Sequence, residues 1–252
     1  MNQQIDFRGK QVWVTGAGRG IGYEIACRFT QAGANVIGFD LAFPDYDIPF
    51  TPRVLDISDA VAVADSCGEL LMRTPSLDVL INGAGILRIG ATEILSQQDW
   101  QACLSVNAGG AFNLFQAVIP QFQQQRSGVI VSISSNAAHV PRAGMAAYCA
   151  SKAALRSLCL TVGLELAPYG VRCNLISPGS TDTLMQRGLW HSPSSEQDTI
   201  TGFPTQFKLG IPLGKIAHPR DIANAVLFMA SDLAGHITLQ DVVIDGGATL
   251  GA

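Results

Sequence analysis

The run Val12-Trp13-Val14-Thr15-Gly16-Ala17-Gly18-Arg19-Gly20-Ile21-Gly22 decides how the rest of this chain is read. A short β-branched strand breaks into a turn rich in glycine and then into a stretch of helical period. Backbone N–H groups at the start of that helix therefore face whatever lies above the strand, and a pyrophosphate fits there. A glycine turn alone is a weak signal, since any tight turn uses glycine; the strand-turn-helix context gives it meaning.

Outward from this turn, short apolar runs alternate with helical-period stretches. Strands are predicted over 12–15, 35–40, 53–56, 79–82, 129–134, 172–176 and 241–245, and helices over 20–32, 60–73, 98–125, 150–167 and 220–230. Strand-helix-strand units in series require right-handed crossovers and a parallel sheet with helices on both faces, a doubly wound Rossmann-type α/β fold. No repeat or linker-like shift divides the chain, so one domain over 1–252 is expected. Helix 150–167 is apolar around most of its circumference, through Ala153, Ala154, Leu158, Leu160 and Leu164, and its second face is expected to pack on another subunit. Residues 180–210, with Pro193, Gly202 and Pro204, make an unusually long and weakly periodic connection. They are read as a substrate lid within the domain, a plain surface insertion being the alternative.

With 48% hydrophobic and 14% charged residues the chain is not disordered, and its 26 glycines exceed the background of roughly 7%. A mean hydropathy of +0.26 raises the question of a membrane. No apolar stretch approaches the roughly 20 residues of a spanning helix, and no membrane is expected. A net charge of −4 with dispersed basic residues offers no stripe for nucleic acid. Cys27, Cys67, Cys103, Cys149, Cys159 and Cys173 lack zinc-like spacing, so reduced thiols and no metal are expected. The stretch from Met1 to Asp6 lacks the charged-then-apolar profile of a secretory signal, which points to the cytoplasm.

Asp40 ends the second predicted strand, where a carboxylate can accept hydrogen bonds from an adenosine ribose; a turn or capping role is the alternative. In the ribose reading, a 2′-phosphate about 5 Å away would be repelled by roughly 3 kcal/mol per unit charge at an effective dielectric of 20. Arg19 opposes this, but an exposed cation contributes under about 1 kcal/mol, so NAD is expected as the cofactor. Tyr148 and Lys152 lie one helical turn apart. A phenol of reference pKa about 10 serves as a base at neutral pH only beside a cation. Such a pair is also common on surface helices; Ser135 at a strand end and Asn107 within an apolar helix single this one out.

These residues, with Asp56, the run Asn82-Gly83-Ala84-Gly85 and Pro178-Gly179-Ser180-Thr181-Asp182-Thr183, stand in an order that resembles the short-chain dehydrogenase/reductase family over nearly the whole chain. The resemblance implies seven strands in the order 3-2-1-4-5-6-7. It implies that Tyr148 is the general acid/base and that Ser135 hydrogen-bonds the reacting oxygen. Lys152 would hold the nicotinamide ribose and lower the Tyr148 pKa, while Asn107 supports a water-mediated proton relay. Gly16, Gly18, Arg19, Gly20, Ile21 and Gly22 would cradle the cofactor, Asp40 its ribose, and Asp56 and Ile57 its adenine. Asn82 and Gly85 would lie along it, and Pro178, Gly179, Thr181 and Thr183, with Tyr148 and Lys152, would hold its nicotinamide half. Gly83 and Leu239 depart from the family's usual residues, and Ser134 competes with Ser135.

Within the family, Ala84-Gly85-Ile86-Leu87-Arg88, residues 137–145, Met185-Gln186-Arg187 and residues 207–215 resemble the branch that oxidises 2,3-dihydro-2,3-dihydroxybenzoate in catechol siderophore pathways. This implies a carboxylated cyclohexadiene diol as substrate, oxidised at its C3 carbinol before aromatisation. Arg142, between Ser135 and Tyr148, is the first candidate for the carboxylate, and a solvated loop charge is the alternative. Arg187, Gln186 and Arg88 are further candidates, with Met145 and Trp190 as apolar walls. His139 is read as structural. The resemblance also implies a homotetramer and leaves room for contact with the next enzyme of the pathway. Two other readings remain: an NADPH-dependent carbonyl or 3-ketoacyl reductase, and a non-catalytic dinucleotide-binding regulator.

Overall fold

Along the first strand, β1 (Gln11–Thr15), Val12 and Val14 enter one apolar core with Ile25, Phe29, Ile222 and Val226. Trp13, between them, enters a second core with Phe39, Leu114, Phe115 and Cys159. Alternate residues point to opposite faces, so both faces of the sheet are dry and covered. This is the computed structural model of the chain, which describes residues 5–74 and 76–251. Most of the N-terminal stretch read for a secretory signal lies outside the described residues.

After β1 come α1 (Gly20–Gln31), β2 (Asn35–Asp40), β3 (Thr51–Val54), α2 (Ala60–Arg73), β4 (Val79–Asn82), α3 (Gln97–Leu104), α4 (Gly110–Gln125), β5 (Gly128–Ile133), α5 (Ala146–Leu166) and β6 (Val171–Pro178). Then follow α6 (Leu184–Arg187), α7 (Ser195–Thr201), β7 (Gly202–Phe203), β8 (Lys208–Leu209), α8 (Pro219–Ala230) and β9 (Asp241–Ile244). Seven strands form one parallel sheet in the order 3-2-1-4-5-6-9, the expected order with a hairpin of β7 and β8 inserted before the last strand. Val12 is in register with Val36 of β2 on one side and Val79 of β4 on the other. The connections diverge there, so a crevice opens at the carboxyl ends of β1 and β4.

Some boundaries differ from the sequence reading. β3 lies at Thr51–Val54 rather than 53–56; it is an exposed edge strand containing Pro52, so no buried face imposes a period. Helix α5 begins at Ala146 rather than 150, which brings Tyr148 into its first turn. The predicted helix 98–125 is interrupted by a π-helical turn at Ser105–Gly109.

The joined run Gln97–Gln125 spans 29 residues and holds an 18-residue window of mean hydropathy 1.3, long and apolar enough to cross a membrane by those criteria alone. This corrects the reading that no stretch approaches that length. One face of the run packs on the core: Leu114, Phe115, Val118 and Phe122 are buried beneath the sheet, and Asn107 is buried among polar partners, while Trp100 and Phe112 remain exposed. All six cysteines are free thiols, four of them buried. Leu239 adopts a left-handed φ of 61°, a conformation that glycine adopts without strain.

Candidate active site

Above the carboxyl ends of the strands lies one continuous cavity of about 640 Å³. Its first end is built by the glycine turn. Gly16 has φ +71°, and a Cβ there would lie 2.7 Å from the Ala84 nitrogen and the Gly83 carbonyl; one on Gly18 would run into the Ala42 carbonyl. Arg19 caps α1 without a side-chain hydrogen bond, and no acidic residue occupies the first turn. The helix thus presents unneutralised N–H groups to the cavity. Gly16, Arg19, Gly20, Ile21 and Gly22 line this wall.

Asp40 also lines the cavity, its Oδ2 accepting from the Gly18 N–H at 2.8 Å and its Oδ1 from Leu41 at 2.7 Å. Each oxygen keeps a further lone pair for a ligand. Asp56 lies in the turn after β3, where Oδ1 accepts from the Ser58 N–H and hydroxyl at 2.9 and 2.7 Å, and Ile57 beside it is buried. Both line the cavity, as do Gly85, Pro178, Gly179, Thr181 and Thr183. Asn82 stands behind the wall, its Nδ2 donating to the Ser132 hydroxyl at 3.0 Å.

The central wall carries Ser134, Ser135, Tyr148 and Lys152. Ser135 lies two residues beyond β5 and opens a 3₁₀ turn, its Oγ accepting from the Ala137 N–H at 3.1 Å. Burial pushes the Tyr148 phenol above its ordinary value, and a hydrogen bond from Ser135 pulls it part of the way back. Ser134 is tied instead to the Lys152 carbonyl at 3.5 Å. The Lys152 ammonium donates to the Ile133 carbonyl at 2.8 Å, lies 5.9 Å from the centre of the Tyr148 ring, and is pushed down by burial to about 8. For the protein alone the net shift of the phenol is upward, opposite in sign to that expected from the ammonium, because desolvation outweighs the hydrogen bond from Ser135.

Asn107 sits in the π-helical turn. Its Oδ1 accepts from the Ile86 N–H at 2.8 Å, while Nδ2 donates to the Ile86 carbonyl at 2.9 Å and to the Ser151 hydroxyl at 2.8 Å. The amide fastens the loop after β4 to α5 rather than facing the cavity, a use of π geometry frequent at functional sites.

At the far end, Arg142, Met145 and Gln186 line the cavity. Arg88 lines it as well, but its guanidinium pairs with Asp99 at 3.0 Å. Arg187 is not on the wall; it grips Asp182 at 2.6 and 2.9 Å and stacks over Trp190, which lies off the wall too. Leu184, Leu189, Lys208, Leu209 and Ile211 complete this end. The sequence reading missed them, because residues 180–210 show no period that would say which side chains face inward.

Residues 16–249 match the family profile described as enoyl-(acyl carrier protein) reductase. The chain is 63% identical to the 2,3-dihydro-2,3-dihydroxybenzoate dehydrogenase of Escherichia coli (strain K12) over 98% of its own length and 100% of that protein's. It belongs to the short-chain dehydrogenase/reductase family. It is also 42% identical to the vibriobactin-specific 2,3-dihydro-2,3-dihydroxybenzoate dehydrogenase of Vibrio cholerae serotype O1, over 95% of this chain and 96% of that one. Among solved structures, the ligand-free aldohexose dehydrogenase of Thermoplasma acidophilum aligns with a TM-score of 0.88 at 31% identity, covering 97% of this chain and 96% of that one.

A dehydrogenase of this family uses a nicotinamide dinucleotide, and the cavity suits one: a tight turn whose Gly16, Gly18 and Gly22 leave no room for a β-carbon, a bare helix N-terminus and a carboxylate beyond it. The turn that carries Ser135 is held from behind in a way the sequence reading did not find. His139 Nε2 lies 2.8 Å from Oδ2 of Asp241, which also receives Arg156 at 3.1 Å, while its Oδ1 accepts from Ser177 at 2.6 Å. Four residues on, Asp245 accepts from Asn136 Nδ2 at 3.2 Å. One carboxylate at the start of β9 and one just beyond its end thus clamp both ends of the Ser135 turn. His139 is structural, as read, but its carboxylate partner is 102 residues away.

Proposed function

We propose that this chain oxidises 2,3-dihydro-2,3-dihydroxybenzoate to 2,3-dihydroxybenzoate with NAD⁺, as a step of catechol siderophore biosynthesis. The identity of 63% to a dehydrogenase of that name carries the reading. When bound, the cofactor supplies the hydride acceptor. Tyr148 takes the proton of the C3 hydroxyl, and Ser135 steadies the same oxygen through its hydroxyl. Lys152 would hold the cofactor ribose, and its ammonium would help offset the burial that raises the phenol. Asn107 serves the proton relay indirectly, by holding the loop of Ile86 against α5. Gly16, Gly18, Arg19, Gly20, Ile21, Gly22, Asp56, Ile57, Asn82, Gly85, Pro178, Gly179, Thr181 and Thr183 shape the cofactor's bed.

The charge of Asp40 favours NAD over NADP, and loss of aromaticity in any reverse step makes the oxidation one-way. The carboxylate of the diol is assigned to Arg142, whose guanidinium faces the same cavity as Tyr148. Met145 and Gln186 flank the ring. Arg88 and Arg187 are neutralised by Asp99 and Asp182 and take a lesser part. Residues 180–210 act as the lid of a single-domain, cytoplasmic homotetramer, and a transient contact with the next enzyme of the pathway fits this role. A ketoacyl reductase is disfavoured by the high identity to the diol dehydrogenase, and a silent regulator by the presence of Tyr148 and Lys152 in one cavity. The test is to mix the protein with NAD⁺ and the dihydrodiol acid. NADH should appear together with catechol fluorescence; the absence of both would remove the reading.

A further inference from the structure

Most cations in this acidic chain are already spoken for. Arg8 pairs with Asp6, Lys10 with Asp78, Arg53 and Arg73 with Glu69, Arg88 with Asp99, Arg156 with Asp241 and Arg187 with Asp182. Arg172 is spent on the carbonyls of Met229, Ala230 and Ser231. Arg142 and Lys208 differ. They reach the same cavity from two separate elements and, like Arg19 at the glycine turn and Lys152 beside Tyr148, neither takes part in an ion pair among the described residues. Resting on the diol-acid reading above, we infer that Lys208 and Arg142 together form the receptor for the substrate carboxylate, one anion held between the lid hairpin and the loop before Tyr148.

Three observations converge on this. Burial holds both groups below their ordinary values, and the charge of Arg142 lowers Lys208 further, so the two cations repel each other in a partly dry wall that an anion would relieve. Asp245 favours the Arg142 charge through its field but makes no ion pair with it among the described residues; its carboxylate accepts from Thr249 at 2.7 Å, Gly247 at 2.9 Å and Asn136 at 3.2 Å. The hairpin is also built to aim the ammonium. Phe207 adopts a left-handed φ of 53°, closes the turn by donating its N–H to the Pro204 carbonyl at 3.0 Å, and leaves its own ring 96% exposed. That conformation is costly for a residue with a β-carbon, and the exposed ring gains nothing from it. The next residue, Lys208, lines the cavity with Nζ 5.2 Å from the centre of the Phe203 ring, which steadies the cation without using up its N–H donors. Apolar Met145 and Leu209 line the same cavity and suit a ring beside the anion.

The test compares wild type, Lys208→Met, Lys208→Arg and Arg142→Met with folding checked by circular dichroism. One arm titrates 2,3-dihydroxybenzoate and catechol, which differ by the carboxylate, in the presence of NADH. The other arm measures kinetics with the carboxylated diol and with cyclohexadiene diol lacking the carboxylate. Lys208→Met and Arg142→Met should each weaken dihydroxybenzoate binding and raise KM for the carboxylated diol at least tenfold. Catechol binding and kcat/KM for the uncarboxylated diol should stay within about twofold, and Lys208→Arg should keep most of the affinity. Equal binding of dihydroxybenzoate by wild type and Lys208→Met would overturn the inference. Binding of the acid that depends on Lys208, with neither diol turned over by wild type, would uphold the receptor and remove only the proposed reaction.

Discussion

Lys152 is an ammonium held out of water at the centre of the cavity, with one carbonyl for a partner. Its pKa, pushed down from 10.5 to about 8, means that folding is penalised wherever the unfolded chain holds the proton more tightly than the fold does. Below pH 8 both states are charged and the penalty is complete, about 3 kcal/mol at 1.36 kcal/mol per unit. It fades as pH rises from 8 to 10.5. Lys152→Met should therefore stabilise the protein by about 2 kcal/mol at neutral pH, after about 1 kcal/mol for the lost hydrogen bond to Ile133. Urea titrations should show this gain closing between pH 8 and 10.5, while turnover is lost. Tyr148→Phe should lower kcat by about 10²–10⁴ and leave the dinucleotide Kd unchanged, read by kinetics beside a binding titration. Asp40→Ser should shift the ratio of NAD⁺ to NADP⁺ affinity at least tenfold toward NADP⁺; an unchanged ratio would remove the role given to that carboxylate.

Strand β9 acts on the chemistry without touching the cavity floor. Its Asp241 gathers His139, Arg156 and Ser177, and Asp245 just beyond it holds Asn136, so the turn carrying Ser135 is strung between two carboxylates. Asp241→Asn keeps the shape and removes the charge. It should lower kcat about tenfold with little change in dinucleotide Kd and cost about 1–3 kcal/mol of stability, with Arg156 half-exposed and able to find water. A variant with wild-type kcat would show that the clamp serves the fold alone. The short elements between β6 and α8 were opaque in sequence for a related reason: a two-residue strand or a four-residue helix is too short to show a period. Pro204 and Gly202 marked only where the chain turns.

For the whole molecule, the proposed tetramer draws on the apolar surface left by α3, α4 and α5, where Leu164 is 66%, Phe112 47% and Trp100 37% exposed. Such apolar surface is costly in water unless covered. Leu164→Glu should move the sedimentation coefficient toward smaller species; a wild-type protein that sediments as a monomer would refute the assembly.

The doubly wound class and the glycine turn were legible because each rests on contiguous residues, through alternation, helical period or the steric freedom of glycine at Gly16 and Gly18, whereas the sheet order and the parts given to Tyr148, Lys152 and Ser135 came from the family resemblance. Other features were settled when distant segments met. That Arg187 turns to Asp182 while Lys208 faces the cavity, that His139 finds Asp241, and that burial raises Tyr148 despite a neighbouring ammonium all depend on desolvation and on pairs brought together by the folded sheet. Local backbone preferences are written in neighbours along the chain. The dielectric around a charge, and the partner it meets, are properties of packing.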